Sequence, residues 1–356
     1  GLVFTDALKM KGVSQFGNTA LRAIQAGNDI ALNPIRPQQQ LDAILSAIGQ
    51  GKISQQTIDE RCKKVLRYKY ALGLSHYSPI PMENLIEELN APEYEALNRQ
   101  LHREAMTLLR DKYNVLPIAH LDKESLAIVS IGEGKDSRFI NTAEWYAPNI
   151  GLFDDSDELS TLLDTLQAYD KIILAIHSNK TALRARIGRI AQTKKTIAVC
   201  FLSPYQVNRL SHELAHSNAL LLAYENTPLA QEAAAQAIFG GYPVKGKLPV
   251  NLEGFFKLGT GIETAKCRLG YATPENVGMD SRLLSVVDSI IAEGIEKEAF
   301  PGCQLVVARQ GEVVWNKAYG YFDYETHRHP VTTDDIYDLA SVSKATATLP
   351  AVMKAY

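Results

Sequence analysis

Four short apolar runs, separated by stretches of helical periodicity, constrain the middle of this chain more than any other feature. The runs span residues 126–131, 171–176, 196–202 and 219–224. Helical stretches at 159–169 and 181–193 lie between them. Short apolar runs that alternate with helices are typical of parallel strands buried between two layers of helices. We therefore predict an α/β domain with an open parallel sheet over residues 84–253, which begins with a helix over about residues 84–109.

The first 75 residues repeat this rhythm on a smaller scale. An apolar run that ends at Asp6 is predicted as a strand, residues 18–26 as a helix, and residues 28–32 as a second strand. Helices follow, and Ser54 is the predicted N-cap of the last one. Because two strand–helix units cannot close a barrel, we expect this segment either to need further strand–helix partners or to belong to a different kind of sheet.

The last part of the chain follows a stretch of weak periodicity, residues 254–275, which we predict to be a linker. Strand candidates at 304–309 and 313–318 are separated by Gln310-Gly311, which predicts a hairpin. A helix is predicted to begin near Ser341 and to continue to the last residue. The part of the chain after the linker is thus expected to contain both strands and helices.

Composition excludes several classes of function. Hydrophobic residues make up 46% and charged residues 22% of the chain, as in ordinary globular proteins. A formal charge of −3 gives no electrostatic reason to expect nucleic acid or an anionic membrane as partner. No apolar run approaches the roughly 20 residues of a membrane-spanning helix. The four dispersed cysteines predict neither a disulfide framework nor a metal site, and we expect no cofactor.

Asp6 is the first candidate catalytic residue. An Asp at the C-terminal end of a parallel strand lies where barrel enzymes place catalytic side chains, although a lone Asp is also a common cap or turn residue. The segment from Gly1 to Gly12, GLVFTDALKMKG, resembles the nucleophile segment of glycoside hydrolase family 3. AGNDI at 26–30 and the ISxxxIDERxxKVLRxKxxLGL pattern at 53–74 resemble that family's eighth strand and closing helix.

The resemblance implies a fold and a mechanism. Residues 1–75 would be the C-terminal piece of a (β/α)8 barrel, and residues 84–253 the α/β sandwich domain that often follows it. Asp6 would attack the anomeric carbon and form a covalent glycosyl-enzyme, as in retaining enzymes. Ala7, rather than an aromatic residue, follows Asp6, which is more similar to the β-N-acetylglucosaminidase branch than to the β-glucosidase branch.

The substrate implied by the resemblance is a carbohydrate with β-linked N-acetylhexosamine, and peptidoglycan fragments are one candidate. The general acid of that branch is typically a His upstream of the nucleophile, so this chain is expected to be truncated and inactive by itself. A β-glucosidase of the same family and a non-catalytic scaffold or binding module remain alternatives.

Ser341 and Lys344 form the second candidate site. Ser-x-x-Lys at a helix start places both side chains on one face, where a neutral Lys can take the serine proton. A capping Ser followed by a surface Lys is the ordinary alternative. The surrounding segment, from FPG at 300–302 to DLASVSK at 338–344, resembles the N-terminal portion of serine β-lactamase-like proteins.

That second resemblance implies Ser341 as the acyl-forming nucleophile and Lys344 as its base partner. It covers about residues 276–356, which would be the N-terminal part of an α+β domain. Later elements of such domains are absent, so this part is also expected to be truncated. The fusion suggests a periplasmic or cell-envelope location, whereas the sequence itself leaves the location unknown.

Other motifs have simpler interpretations. HELAH at 212–216 matches the HExxH string of zinc peptidases. It is not followed by the Gly and His of the metzincin pattern, and Glu232, a possible third ligand, falls after a predicted strand. We therefore predict a solvated helix and no metal site. The Gly132–Lys135 stretch is expected to be a turn rather than a phosphate loop. Trp145-Tyr146 is either a sugar-stacking platform or a core pair, the latter being commoner. Lys194-Lys195 is expected to be solvated surface.

Overall fold

The computed structural model describes residues 1–193, 195–325 and 328–356. Lys194, half of the predicted solvated pair, lies outside the described residues. The chain divides into two compact units, Gly1–Leu85 and Ile86–Tyr356. Over the described residues, no helix combines the length and the apolar character needed to cross a bilayer.

The first unit is mainly helical. Its helices are α1 (Lys11–Ser14), α2 (Thr19–Gln25), α3 (Pro37–Gly49) and α4 (Gln55–Ala71). A small core brings together buried Ile24, Ala47 and Ile53. The predicted cap is confirmed, because the Ser54 hydroxyl accepts a hydrogen bond of 3.0 Å from the Thr57 amide.

The two segments predicted as strands in this unit do not form regular strands, so that prediction is wrong. Only one parallel bridge forms, between Phe4 and Ile30, supported by a 3.1 Å hydrogen bond from the Thr5 amide to the Ile30 carbonyl. Within the described residues each segment pairs along one edge only. Two strands without further partners gain little ladder stability, and the pairing therefore stays short.

The second unit begins with helices where one continuous helix was predicted for residues 84–109. The helices are α5 (Leu85–Leu89) and α6 (Pro92–Ala105), and strand β1 (Thr107–Asp111) follows. Pro92 lacks an amide proton and can only begin a helix, so the chain restarts there. The apolar residues after Ala105 pair with a distant strand instead of extending the helix.

A six-stranded sheet forms the centre of this unit. Its other strands are β2 (Leu126–Ile131), β3 (Gly151–Asp154), β4 (Lys171–Ile176), β5 (Thr196–Cys200) and β6 (Ala219–Leu222). The order is β1-β6-β5-β4-β2-β3. Strands β2 to β6 are parallel, as predicted, and β1 adds an antiparallel edge that was not predicted. The four-residue edge strand β3 was also missed, since it is only half-buried.

Helices cover both faces of this sheet. They are α7 (Arg138–Glu144), α8 (Leu159–Leu166), α9 (Thr181–Ala191), α10 (Pro204–Asn208) and α11 (Pro228–Ile238). One core packs Phe139 of α7 and Ile238 of α11 beneath the sheet. The opposite core packs Leu162 of α8 and Ile187 of α9. Residues 212–216, predicted as a helix, form consecutive turns instead.

A smaller three-stranded sheet follows, in the order β7-β9-β8. Its strands are β7 (Gly270–Tyr271), β8 (Gly302–Arg309) and β9 (Glu312–Gly320), with helices α12 (Ser281–Leu284) and α13 (Val286–Glu296) before the hairpin. The hairpin is confirmed: Gln310 (φ 54°) and Gly311 (φ 78°) both have the positive φ of a type I′ turn.

Residues 254–275 lie against the larger sheet. The Ile262 amide donates 2.8 Å to the Leu108 carbonyl. The Arg268 guanidinium donates 2.6 Å to the Ile118 carbonyl and 2.7 Å to the Phe239 carbonyl. Because β7 lies in this segment and pairs with β9, the two sheets are connected by ordered backbone.

The predicted terminal helix is irregular where it begins. A 3₁₀ turn spans Ala340–Val342, a π-helical turn spans Lys344–Thr348, and α14 spans Leu349–Ala355. Pro350 cannot donate to the carbonyl of Thr346, so a regular α-helical pattern cannot run through this point.

Candidate functional site

The Asp6 carboxylate is exposed to solvent. Its Oδ1 accepts a 2.7 Å hydrogen bond from the Ala7 amide. No Lys, Arg or His among the described residues forms an ion pair with it. The backbone next to it is held by the bridge to the second segment, where Thr5 Oγ1 accepts 2.9 Å from the Leu32 amide. The arrangement is a solvent-exposed carboxylate whose orientation is fixed by one backbone hydrogen bond.

The side chain of Asp29 stabilises the backbone segment that carries Asp6. Asp29 accepts hydrogen bonds from the Val3 amide at 2.8 Å and from Lys64 Nζ at 2.7 Å. The Lys64 hydrogen bond, followed by that of Val3, lowers the pKa of Asp29 below its usual value. Arg61 of the same helix donates to the Asn28 carbonyl at 2.7 Å. Helix α4 therefore fixes both short segments that carry the Phe4–Ile30 bridge.

Ser341 and Lys344 are brought together as the spacing predicts. Lys344 Nζ lies 2.9 Å from Ser341 Oγ, and both side chains are exposed. Ala340, directly before the serine, has a φ of 43°, a left-handed conformation that costs a non-glycine residue energy. Strained backbone next to a nucleophile is a recurring feature of functional turns.

A polar network that the sequence analysis missed lies at the carboxyl end of the larger sheet. His177, which follows β4, has its Nδ1 2.7 Å from Asn226 Oδ1 and 2.9 Å from Glu133 Oε2. Gln231 Nε2 donates to Glu133 and Asn226. The His177 ring stacks on Phe201 with centroids 4.5 Å apart. Polar residues directly after three parallel strands were the available signal.

Burial determines the ionisation of this network. The His177 side chain is 1% exposed. Burial lowers the pKa of His177, while the hydrogen bond to Asn226 and the charge of Glu133 act in the opposite direction. Because both neighbours of Nδ1 are acceptors, Nδ1 carries the proton of the neutral ring. Nε2 is then an acceptor, and it has no partner among the described residues.

The structure also locates the Gly132–Lys135 stretch and the Trp145-Tyr146 pair. Glu133 belongs to the network above, and the loop around Gly132 (φ 88°) contains no helix start. Tyr146 stacks on Phe239 with centroids 5.3 Å apart, as a core residue does. Trp145 is 41% exposed. Among the described residues, no group of three His, Cys, Asp or Glu side chains is placed to hold a metal ion.

Comparison with known proteins accounts for both ends of the chain. Residues 1–68 match the family model described as the glycosyl hydrolase family 3 N terminal domain, and residues 287–355 match the model described as beta-lactamase. This chain carries a glycoside hydrolase family 3 segment and a β-lactamase-like segment. Both resemblances found in the sequence are thereby confirmed, with Asp6 in the family 3 segment and Ser341 and Lys344 in the β-lactamase-like segment.

Relatives of the family 3 segment extend into the larger sheet. A beta-N-acetylglucosaminidase/beta-glucosidase of Cellulomonas fimi is 22% identical over an alignment of 281 residues, and the match covers 70% of this chain and 49% of that relative. Beta-glucosidase B of Emericella nidulans is 30% identical over 101 residues, covering 28% of this chain and 12% of that protein. The chain thus spans about half the length of the first of these relatives and a smaller part of the second.

A solved structure supports the fold. The glycoside hydrolase family 3 beta-N-acetylglucosaminidase from Paenibacillus sp. str. FPU-7 superimposes with a TM-score of 0.51 at 22% identity, over 71% of this chain and 51% of that chain. The predicted fold class is confirmed: a barrel piece, an α/β sandwich domain and the start of a β-lactamase-like domain.

Proposed function

We propose that this chain is part of a retaining glycoside hydrolase in which Asp6 is the nucleophile. The observation that carries the proposal is the exposed Asp6 carboxylate, held by the Ala7 amide and free of ion pairs among the described residues. The C1 atom of the bound sugar is attacked by a carboxylate oxygen, and the aglycone leaves. Water then cleaves the resulting ester with retention of configuration.

The substrate class is a carbohydrate with β-linked N-acetylhexosamine, with peptidoglycan fragments as a candidate source. Ala7 after Asp6 supports this branch, as does similarity to proteins named beta-N-acetylglucosaminidases. Since the general acid of that branch typically lies upstream of the nucleophile, turnover is measured on the full-length protein.

The second candidate is a β-glucosidase, in which the sandwich domain would supply a carboxylic acid. Glu133 is a carboxylate at the carboxyl end of that domain's sheet. Its oxygens already accept hydrogen bonds from Asn226 and Gln231, and His177 Nδ1 lies 2.9 Å away. Glu133 therefore serves as a structural hydrogen-bond acceptor rather than as a general acid, which favours the first candidate.

The test uses the full-length protein and 4-nitrophenyl glycosides. Asp6→Gly is expected to lower kcat about 10⁴-fold on the N-acetyl-β-glucosaminide, and Asp42→Asn, an exposed Asp of α3, to leave it unchanged. Azide should restore release of nitrophenol by Asp6→Gly, because azide attacks C1 as nitrophenolate leaves, and the product should be the α-glycosyl azide. Unchanged turnover by Asp6→Gly would reject the proposal, and preference for the β-glucoside would select the second candidate.

We further propose that Ser341 and Lys344 act as nucleophile and base in acyl transfer in the full-length protein. Two observations support this assignment. The side chains of Ser341 and Lys344 are 2.9 Å apart, and the backbone of the preceding residue, Ala340, is strained. In this role the Lys344 amine accepts the Ser341 proton as the serine oxygen forms its bond to the acyl carbon.

A further inference from the structure

Both tryptophans of the chain line one cavity. The cavity has a volume of about 960 Å³ and lies between helix α7 and strands β7 and β9 of the second unit. Trp145 directly follows α7, Tyr271 belongs to β7, and Trp315 belongs to β9. The volume is at the upper end of the range for small-molecule sites and gives room for about two or three pyranose rings.

The aromatic rings form an angled wall of this cavity. The centroids of Trp145 and Tyr271 are 4.6 Å apart with planes inclined by 51°. The Arg138 guanidinium lies 5.0 Å from the Trp145 ring centroid. Trp145 nonetheless keeps 41% of its surface exposed. An exposed indole surface beside an inclined phenol offers apolar contact to a flat, amphipathic ligand.

The charges in the cavity disfavour an anionic ligand. Its two arginines, Arg99 and Arg138, both form ion pairs with Glu232, whose side chain is 6% exposed. Glu144 and Asp334 add negative charge to the lining. An anion would therefore meet arginines that are already neutralised and two further carboxylates.

The remaining polar lining suits hydroxyl and amide groups. Asn141, Asn316 and Thr333 contribute neutral donors and acceptors beside the carboxylates of Glu144 and Asp334. Asn316 is exposed on β9. Planar hydrogen-bonding side chains next to exposed aromatic surface match a pyranose, which has polar hydroxyls at its rim and apolar C–H faces.

We propose that this cavity binds a neutral oligosaccharide, with Trp145 as the principal apolar contact and Asn316 as a hydrogen-bonding partner. The site belongs to the second unit and is formed jointly by the sandwich domain and the β-lactamase-like segment. It would retain a polymeric carbohydrate on the protein. The choice of N-acetylglucosamine as the sugar to be tested rests on the proposed function, whereas the existence of the site does not.

The test exploits the position of the two tryptophans, which make intrinsic fluorescence a reporter of this cavity. The full chain is titrated with the β-1,4-linked trimer of N-acetylglucosamine and, in parallel, with cellotriose. A saturable change in tryptophan emission is expected with at least one trimer, and calorimetry gives its Kd. Trp145→Ala and Asn316→Ala should each weaken binding about tenfold or more, while Tyr205→Ala, at an exposed tyrosine elsewhere, should not.

The outcomes separate this inference from the glycosidase proposal. Asp6→Asn should bind the trimer as the wild type does, even though the same change in the full-length protein abolishes turnover. Absence of saturable binding of either trimer, or undiminished binding by a folded Trp145→Ala or by Asn316→Ala, would overturn the site. Asn316→Ala serves as the second variant because its side chain is exposed, so its loss leaves the core intact.

Discussion

The Asp29 carboxylate lies 2.7 Å from the Lys64 ammonium and also accepts a hydrogen bond from the Val3 amide. One buried side chain thus joins helix α4 to the first backbone segment, three residues before Asp6. The Asp29 side chain is 5% exposed and that of Lys64 is 39% exposed. Backbone hydrogen bonds also join the two segments, among them the 2.9 Å bond from the Leu8 amide to the Leu32 carbonyl. The Asp29 contact adds a side-chain link from both segments to helix α4.

We expect Asp29→Asn to destabilise the first unit in a manner that depends on pH. Lys64 and Val3 lower the pKa of Asp29 in the folded state. Its stabilisation is therefore complete above the unfolded-state pKa near 3.9 and is lost as the pH falls toward the lower folded-state pKa. The difference in melting temperature between wild type and Asp29→Asn should be largest near pH 7 and shrink below about pH 4. Asp42→Asn should show little difference at any pH, and a constant difference for Asp29→Asn would contradict the prediction.

Glu232→Gln should destabilise the second unit by about 3 kcal/mol, because it breaks a buried ion pair with Arg99 and Arg138. Glu95 provides the matched control. It also pairs with Arg99, at 3.0 Å, but is 49% exposed, so Glu95→Gln should cost at most about 0.5 kcal/mol. Urea unfolding of the two variants measures both values. Equal effects would show that burial of the carboxylate is not what matters.

Lowering the pH should destabilise the second unit through His177. This loss of stability should begin at a higher pH than any loss that comes from the carboxylates. Burial lowers the pKa of His177, and the contacts with Asn226 and Glu133 only partly oppose this shift. The unfolded chain then binds a proton more readily, and stability is lost as the pH falls from about 6.5 toward the folded-state pKa. Melting temperatures between pH 8 and 5 should show this loss in wild type and in His120→Gln, an exposed histidine. The loss should be smaller in His177→Gln, and an unchanged slope there would refute the assignment.

The Ser341–Lys344 pair predicts covalent labelling of the full-length protein by a fluorophosphonate. Ser341 Oγ forms the bond to phosphorus, fluoride leaves, and Lys344 takes the proton. Ser341→Ala should abolish labelling, and Lys344→Arg should slow it about 10²- to 10⁴-fold, since the arginine cannot accept the proton. Ser343→Ala and Asp6→Asn should be labelled at the wild-type rate. Labelling that persists in Ser341→Ala, read by mass spectrometry, would assign the nucleophile elsewhere.

Local signals in the sequence predicted local structure well. Ser54 caps α4 because its hydroxyl reaches an amide three residues away. Gln310-Gly311 forms the hairpin turn because both positions need positive φ. The apolar runs at 126–131 and 171–176 are strands with every residue buried. The predictions of continuous helices were wrong where Pro92 and Pro350 interrupt the hydrogen-bond pattern.

Edge strands and sites were harder to predict because their partners are distant in the chain. Strand β1 was predicted as the end of a helix, and its pairing with β6 overrides that local preference. The pairing at Phe4 and Ile30 is shorter than predicted because two strands without a third partner have little stability of their own. His177, Asn226 and Glu133 are separated by tens of residues, and they meet only because the parallel strands end at one edge of the sheet.

The sequence by itself determined the family, the α/β rhythm, the turn and cap residues, and the spacing that brings Ser341 to Lys344. These depend on interactions among neighbouring residues or on patterns along one element. Only the tertiary structure decided the strand order, the burial of Glu232 between two arginines, and the cavity shared by Trp145 and Trp315. Each of these depends on contacts between residues far apart, such as Arg99 and Glu232, which are 133 positions apart. Packing of the whole domain, rather than local preference, selects such contacts.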